Sequence, residues 1–289
     1  MQKSPPKKQI RKPQQQRRPG TEEKMHPEPV FDQQDVKGSG KLKNKIALIT
    51  GGDSGIGKAV AILFAKEGAD VAIAYLNENK DAKETKRIIE ERYKKKCLLI
   101  PGNLSREQHC ITAVKKTKKE YGRIDILVNN AGMHFENKTL EELSTREMIR
   151  TFEVNIFSFF WVTKAALPHM KKGSCIINSS SVTAYRGSSS LIDYSATKGA
   201  IVAFTRSLSS NLIEKGIRVN GVAPGPVWTP LIPSSFKAKK VAQHGSNSPM
   251  QRAGEPVEIA PCYLFLACDD SSYMSGQFLH PNGGEIING

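Results

Sequence analysis

Short apolar runs alternating with longer amphipathic segments predict an α/β chain built on one doubly wound parallel sheet. The first such run, Ile46-Ala47-Leu48-Ile49, is continuously apolar, as a strand covered on both faces requires. It leads straight into Thr50-Gly51-Gly52-Asp53-Ser54-Gly55-Ile56-Gly57 and then a helical pattern through Ala59, Ile62, Leu63, Phe64 and Ala65. Glycines at 51, 55 and 57 permit a tight turn, close approach of backbone N–H groups to a pyrophosphate, and close packing of helix on strand. The helix N-terminus then faces the phosphates. A βα turn that merely needs positive φ is the plainer account of the same glycines.

At 289 residues the chain is long enough for one large domain with a substantial core. Residues 1–40 stand apart from it. They are rich in Lys, Arg, Gln and Pro, with Val30 and Phe31 among the few apolar side chains, and cannot bury enough surface to offset their ordering entropy. Most of this stretch is therefore expected to be a basic, disordered tail preceding a domain over residues 41–289. A net charge of +15 raises nucleic acid or an anionic surface as a partner. Only +4 of that lies in residues 1–40, and no aromatic stacking platform accompanies it, so nucleic acid is not the expected partner.

The five cysteines, Cys97, Cys110, Cys175, Cys262 and Cys268, include no C-x-x-C pair and support neither a disulfide framework nor a zinc site. Reduced thiols fit a cytoplasmic protein. His134, His169 and His280 form no spaced metal triad, so no metal is expected. The longest apolar stretch, residues 156–162, is far short of the roughly 20 residues that span a bilayer and reads as a buried helix face.

The alternation continues to the C-terminus. Strands are predicted at 70–75, 97–101, 124–128, 174–178, 217–222 and near 277–280, and helices at 81–93, 106–121, 145–152, 155–170, 195–215 and 256–267. Strands separated by helices of this length pair in parallel through right-handed crossovers. The loop 226–252, with Trp228, would cover a substrate.

In a helix, residues four apart share a face, so Tyr194 and Lys198 would lie side by side. A fixed cation beside a phenol lowers a pKa that is ordinarily about 10. Such a tyrosine can pass a proton to or from a substrate oxygen. A packed ring and a solvated charge is the plain alternative. In a doubly wound sheet the ligand lies beyond the carboxyl ends of the strands, and there the chain places Asn129-Asn130-Ala131-Gly132, Ser179-Ser180-Ser181 and Pro224-Gly225.

With Thr-Gly-x-x-x-Gly-x-Gly at 50–57, Asn-Asn-Ala-Gly at 129–132, a serine thirteen residues before Tyr194, Tyr-x-x-x-Lys at 194–198 and Pro-Gly-x-x-x-Thr at 224–229, residues 43–289 resemble the short-chain dehydrogenase/reductase family. The resemblance implies a Rossmann-like fold and an NAD(P)-dependent oxidoreductase acting on a small or medium carbonyl or alcohol. Tyr194 would be the proton donor or acceptor, Ser181 would hydrogen-bond the substrate oxygen, and Lys198 would lower the phenol pKa and hold the nicotinamide ribose. Asn155 would position a water of the proton relay. The resemblance also implies cofactor contacts from Thr50, Gly51, Asp53, Ser54, Gly55, Ile56 and Gly57 in the turn. Tyr75, Leu76 and Asn77 would follow the second strand, Asn103 and Leu104 the third, Asn130, Ala131 and Gly132 the fourth, and Pro224, Gly225, Val227 and Thr229 the sixth.

An acid after the second strand would bind the ribose 2′-hydroxyl and an arginine would accept a 2′-phosphate; Tyr75-Leu76-Asn77 has neither, which leans the expectation toward NADP. Asn103 stands where many relatives carry Asp against the adenine amino group, a bond that an amide oxygen can still accept. A small-residue stripe of Ala196, Ala200, Ala203 and Ser207 is either a core face or, as the resemblance suggests, part of a homotetramer interface. A nucleotide-binding sensor without catalysis and a nucleic-acid-associated protein acting through the basic tail are the alternative functions.

Overall fold

The computed structural model describes residues 5–287. Its seven strands, β1 (Ile46–Thr50), β2 (Asp70–Tyr75), β3 (Cys97–Pro101), β4 (Ile126–Asn129), β5 (Cys175–Ser179), β6 (Arg218–Val222) and β7 (Phe278–Leu279), pair in parallel in the order β3-β2-β1-β4-β5-β6-β7. The order reverses between β1 and β4, so a crevice opens beyond their carboxyl ends. Successive strand residues point to opposite faces. Ala47, Ile49, Val71, Ile73 and Val128 face one core with α1 (Gly55–Lys66), α2 (Asn79–Tyr93) and α10 (Pro256–Ala267). Leu48, Ala72, Leu127, Ile176 and Val219 face the other, with α3 (Glu107–Tyr121), α5 (Ser158–Ala166) and the end of α7 (Ile192–Leu212).

Between α4 (Thr145–Phe152) and α5 the chain makes a π-helical turn, Glu153–Phe157. Helix 155–170 was expected to begin here as an ordinary helix with a buried apolar face. The widened turn instead rotates Phe157 and Phe160 to the surface while Asn155 and Phe159 stay buried. On α7 the inner stripe is Thr197, Ile201, Thr205, Ser209 and Leu212; Ala196, Ala203 and Ser207 face outward, and only Ala200 of the small-residue stripe packs inward, against the cluster of Phe159 and Ile201.

The expectation of disorder for the tail is corrected over residues 5–40; residues 1–4 lie outside the described part. With little regular structure, the segment is laid along the domain and tied down chiefly by polar bonds. Ile10 N–H donates to Ala242 O at 2.9 Å, Gln16 N–H to Pro233 O at 2.8 Å, and Trp228 Nε1 to Pro27 O at 2.8 Å. Met25 is fully buried among Trp228, Leu191 and Ile232. Composition misled because the apolar partners of Met25, which are Leu191 and residues of the loop 224–253, are far away in sequence. Its charges are also used internally: Lys8 Nζ donates to Gln251, Arg11 lies 4.4 Å over the Trp228 ring, and Arg18 lies 4.1 Å over Phe135.

Candidate active site

The glycine turn leaves β1 with Gly51 at φ +65° and Gly55 at φ +52°, a left-handed backbone that side chains disfavour. A Cβ on Gly57 would lie 1.8 Å from Gly51 O, so that glycine serves packing and does not face the cavity. Thr50 also turns inward. Its hydroxyl accepts from Asn130 N–H at 2.8 Å and Ala131 N–H at 3.0 Å, clamping the end of β4 to the turn.

Beyond these ends lies a cavity of about 500 Å³. Gly51, Asp53, Ser54, Gly55, Ile56, Tyr75, Leu76, Asn103, Leu104, Asn130, Ala131, Gly132, Tyr194, Lys198, Pro224 and Thr229 line it. Asn77 does not, and Gly225 and Val227 line a second cavity of about 500 Å³ instead. The bare glycine backbone, the helix N-terminus behind it and a lining drawn from the ends of β1 to β5 fit a dinucleotide. Residues 18–20, Glu78 and Arg150 line it as well and were not foreseen. Asn103 is not available as expected: its amide oxygen already accepts from Ser105 N–H at 3.1 Å and Arg150 Nη2 at 3.0 Å, which uses both lone pairs.

Tyr194 stands where the two cavities meet, with Lys198 on the wall of the first and Ser181 on the wall of the second. The three neighbouring serines point different ways. Ser179 Oγ bonds Asn130 and the Tyr263 hydroxyl, Ser180 Oγ donates to Lys198 O at 2.9 Å, and Ser181 accepts from Thr183 N–H at 3.2 Å while facing the Tyr194 phenol. Tyr185, which lacks a lysine four residues on, packs against Phe278 and His280.

Lys198 is buried, and its Nζ donates to Ser179 O at 2.9 Å while lying 5.4 Å from the Tyr194 ring centre. That carbonyl takes the Lys198 ammonium, burial and Ser181 set the phenol's shift, and the expected lowering of the phenol pKa is corrected. Loss of hydration dominates both groups, pushing Tyr194 up to about 12, with Ser181 opposing, and Lys198 down to about 7. The Tyr194 ring keeps some surface on the cavity, so its shift is smaller when water fills the site.

Asn155 acts as a brace. Its Oδ1 accepts from Met133 N–H at 2.8 Å, and its Nδ2 donates to Met133 O at 2.8 Å and Thr197 Oγ1 at 3.1 Å. Both amide donors are spent on protein, so its side chain fixes the segment after β4 against α7. Trp228, expected to cover a substrate, is buried against the strap and lines neither cavity; Thr229, Leu231 and Phe236 take that place.

A parallel sheet that presents a glycine turn, a Tyr-x-x-x-Lys helix and a serine at one crevice defines a nucleotide-dependent oxidoreductase. The chain belongs to the short-chain dehydrogenase/reductase family and is an enzyme of that type. A family model described as enoyl-(acyl carrier protein) reductase matches residues 51–285. The chain is 53% identical over 283 residues to NADPH-dependent aldehyde reductase 1, chloroplastic, of Arabidopsis thaliana, covering 96% of this chain and 98% of that protein. It is 51% identical over 280 residues to glucose and ribitol dehydrogenase of Daucus carota, covering 95% and 96%. A short-chain dehydrogenase from Burkholderia cenocepacia, solved with NADP, superposes with a TM-score of 0.79 at 31% identity, covering 84% of this chain and 98% of its own.

Proposed function

We propose that the protein reduces small or medium aldehydes, ketones or sugars, and runs the reverse alcohol oxidation, with Tyr194 as the proton carrier and NADP preferred to NAD. The observation that carries this reading is Tyr194 at the junction of the two cavities. A bound nicotinamide would supply or accept the hydride. The Ser181 hydroxyl takes its own hydrogen bond from Thr183 N–H, which leaves its proton free to meet a substrate oxygen. Negative charge grows on that oxygen during reduction, and Tyr194 and Ser181 donate where it grows. With the phenol pKa pushed up, Tyr194 holds its proton near neutral pH, the form that reduction needs. Lys198, its ammonium held by Ser179 O and its backbone carbonyl by Ser180 Oγ, would hold the ribose hydroxyls.

The second cavity favours polar substrates. Ser188, Ser189 and Ser190 line it with Arg186 and Lys240, so hydroxyl-bearing carbonyls find partners there. The aldehyde reductase and the glucose and ribitol dehydrogenase among the relatives support the substrate class, and the name of the NADPH-dependent aldehyde reductase supports the NADP lean. Incubation with NADPH deuterated at the nicotinamide C4, across a panel of aldehydes, ketones and sugars, tests the reading. Deuterium on the carbinol carbon of at least one product is expected; consumption of no substrate across the panel, or deuterium only at the carbon β to the carbonyl as in reduction of a conjugated C=C bond, rejects it.

A further inference from the structure

The strap adds charged groups to the cavity that the family motifs do not contain. Glu22, buried, accepts from Gly55 N–H at 2.8 Å through one oxygen and pairs with the buried Lys58 ammonium through the other. A strap carboxylate therefore occupies the first N–H of α1, where Ser54 makes no side-chain cap. Two residues earlier, Gly20 is seated on the loop: a Cβ there would lie 2.4 Å from Pro230 O. Arg18 then reaches the far wall, donating from Nη2 to His134 O at 2.7 Å with its guanidinium over Phe135. Residues 18–22 thus cross the mouth of the crevice from the end of β4 to the glycine turn, and Arg18, Pro19 and Gly20 line the cavity between them.

Charge decides what this crossing does. A carboxylate at the helix N-terminus would repel a diphosphate at the same turn unless it were neutralised, and Lys58 neutralises it. Arg18 has no carboxylate within salt-bridge distance among the described residues, and most of its guanidinium donors are unspent. We propose that Arg18 is a cofactor-binding residue that pairs with the diphosphate of the dinucleotide, and that Glu22 is the positioning residue that fixes the strap to the glycine turn so that Arg18 stays over the cleft. This rests on the nucleotide-dependent reading above.

The test uses the full chain and the variants Arg18→Met, Arg18→Lys and Glu22→Gln, with Kd for NADPH and for NADH read from tryptophan fluorescence at low and high salt. Loss of one charge-assisted contact predicts that Arg18→Met raises both Kd values by about tenfold at low salt and by less at high salt, with Arg18→Lys between it and wild type. Trypsin cleavage after Arg17 and Lys24 should be unchanged in Arg18→Met and faster in Glu22→Gln, which should also bind NADPH more weakly. An Arg18→Met variant with wild-type Kd values, or one altered only in KM for the carbonyl substrate, overturns the assignment of Arg18. A Glu22→Gln variant as resistant to trypsin as wild type overturns the anchor. If the wild-type chain binds neither nucleotide, the oxidoreductase reading fails and this proposal fails with it.

Discussion

Burial sets the protonation states inside the crevice, and its effect could not be read from residue spacing. Tyr194 and Lys198 are brought together as a Tyr-x-x-x-Lys interval requires, but the sign of the phenol shift depends on how much water each group loses. Asp53 shows the same limit at the other end of the cavity. The residues after β2 were read as carrying no acid, yet Asp53 from the glycine turn and Glu78 both line that end. Burial, reinforced by Glu78, pushes Asp53 up to about 7, so it is neutral in mildly acid solution and charged in alkali. With the adenosine ribose at that end, a charged Asp53 would repel the additional phosphate of NADPH and leave NADH less affected. The ratio of Kd for NADPH to Kd for NADH should therefore rise at least about threefold between about pH 6 and pH 8. Titrating both nucleotides into wild type and Asp53→Asn measures this; the variant should lose most of the rise, and an equal rise in both would exclude Asp53 as its source.

The elements that position the site were legible where local chemistry dominates. All seven strands fall within a few residues of their apolar runs, because a strand covered on both faces must be apolar throughout. Polar exceptions were not legible. Asn129 on β4 faces Asn178 on β5 in register, and Asn129 Nδ2 donates to Asn178 Oδ1 at 2.9 Å; Thr163 accepts from Asn129 and Thr205 from Asn178. These are long-range pairs whose meaning appears only when the strands are adjacent. The π-turn was equally hidden, because its residues look like any helix. It turns Phe157 and Phe160 outward, and Phe160 lies 4.2 Å from the Phe204 ring on α7, beside the outward Ala196, Ala203 and Ser207. We propose that the outer faces of α5 and α7 form the interface of a homo-oligomer, a tetramer by family resemblance. Sedimentation velocity should show an assembly in wild type and a shift toward monomer in Phe160→Asp; a wild-type monomer would remove the interface.

On the scale of the whole molecule, the strap turns the basic N-terminal segment from an appendage into part of the architecture. Among the described residues no helix is long and apolar enough to cross a membrane, and none of the cysteines is paired. Burial pushes the thiols of Cys97, Cys110 and Cys175 up to about 12, which makes them unreactive. Sheet, strap and loop together enclose two adjoining cavities with one phenol between them.

The most direct measurement is therefore kcat/KM for an accepted aldehyde in Tyr194→Phe, made alongside Kd for NADPH. Removing the proton that Tyr194 would transfer to the substrate oxygen should lower kcat/KM by much more than tenfold, over about 1.4 kcal/mol, while Kd stays within about twofold of wild type. A variant that keeps more than about a tenth of wild-type kcat/KM with its nucleotide still bound would contradict the account.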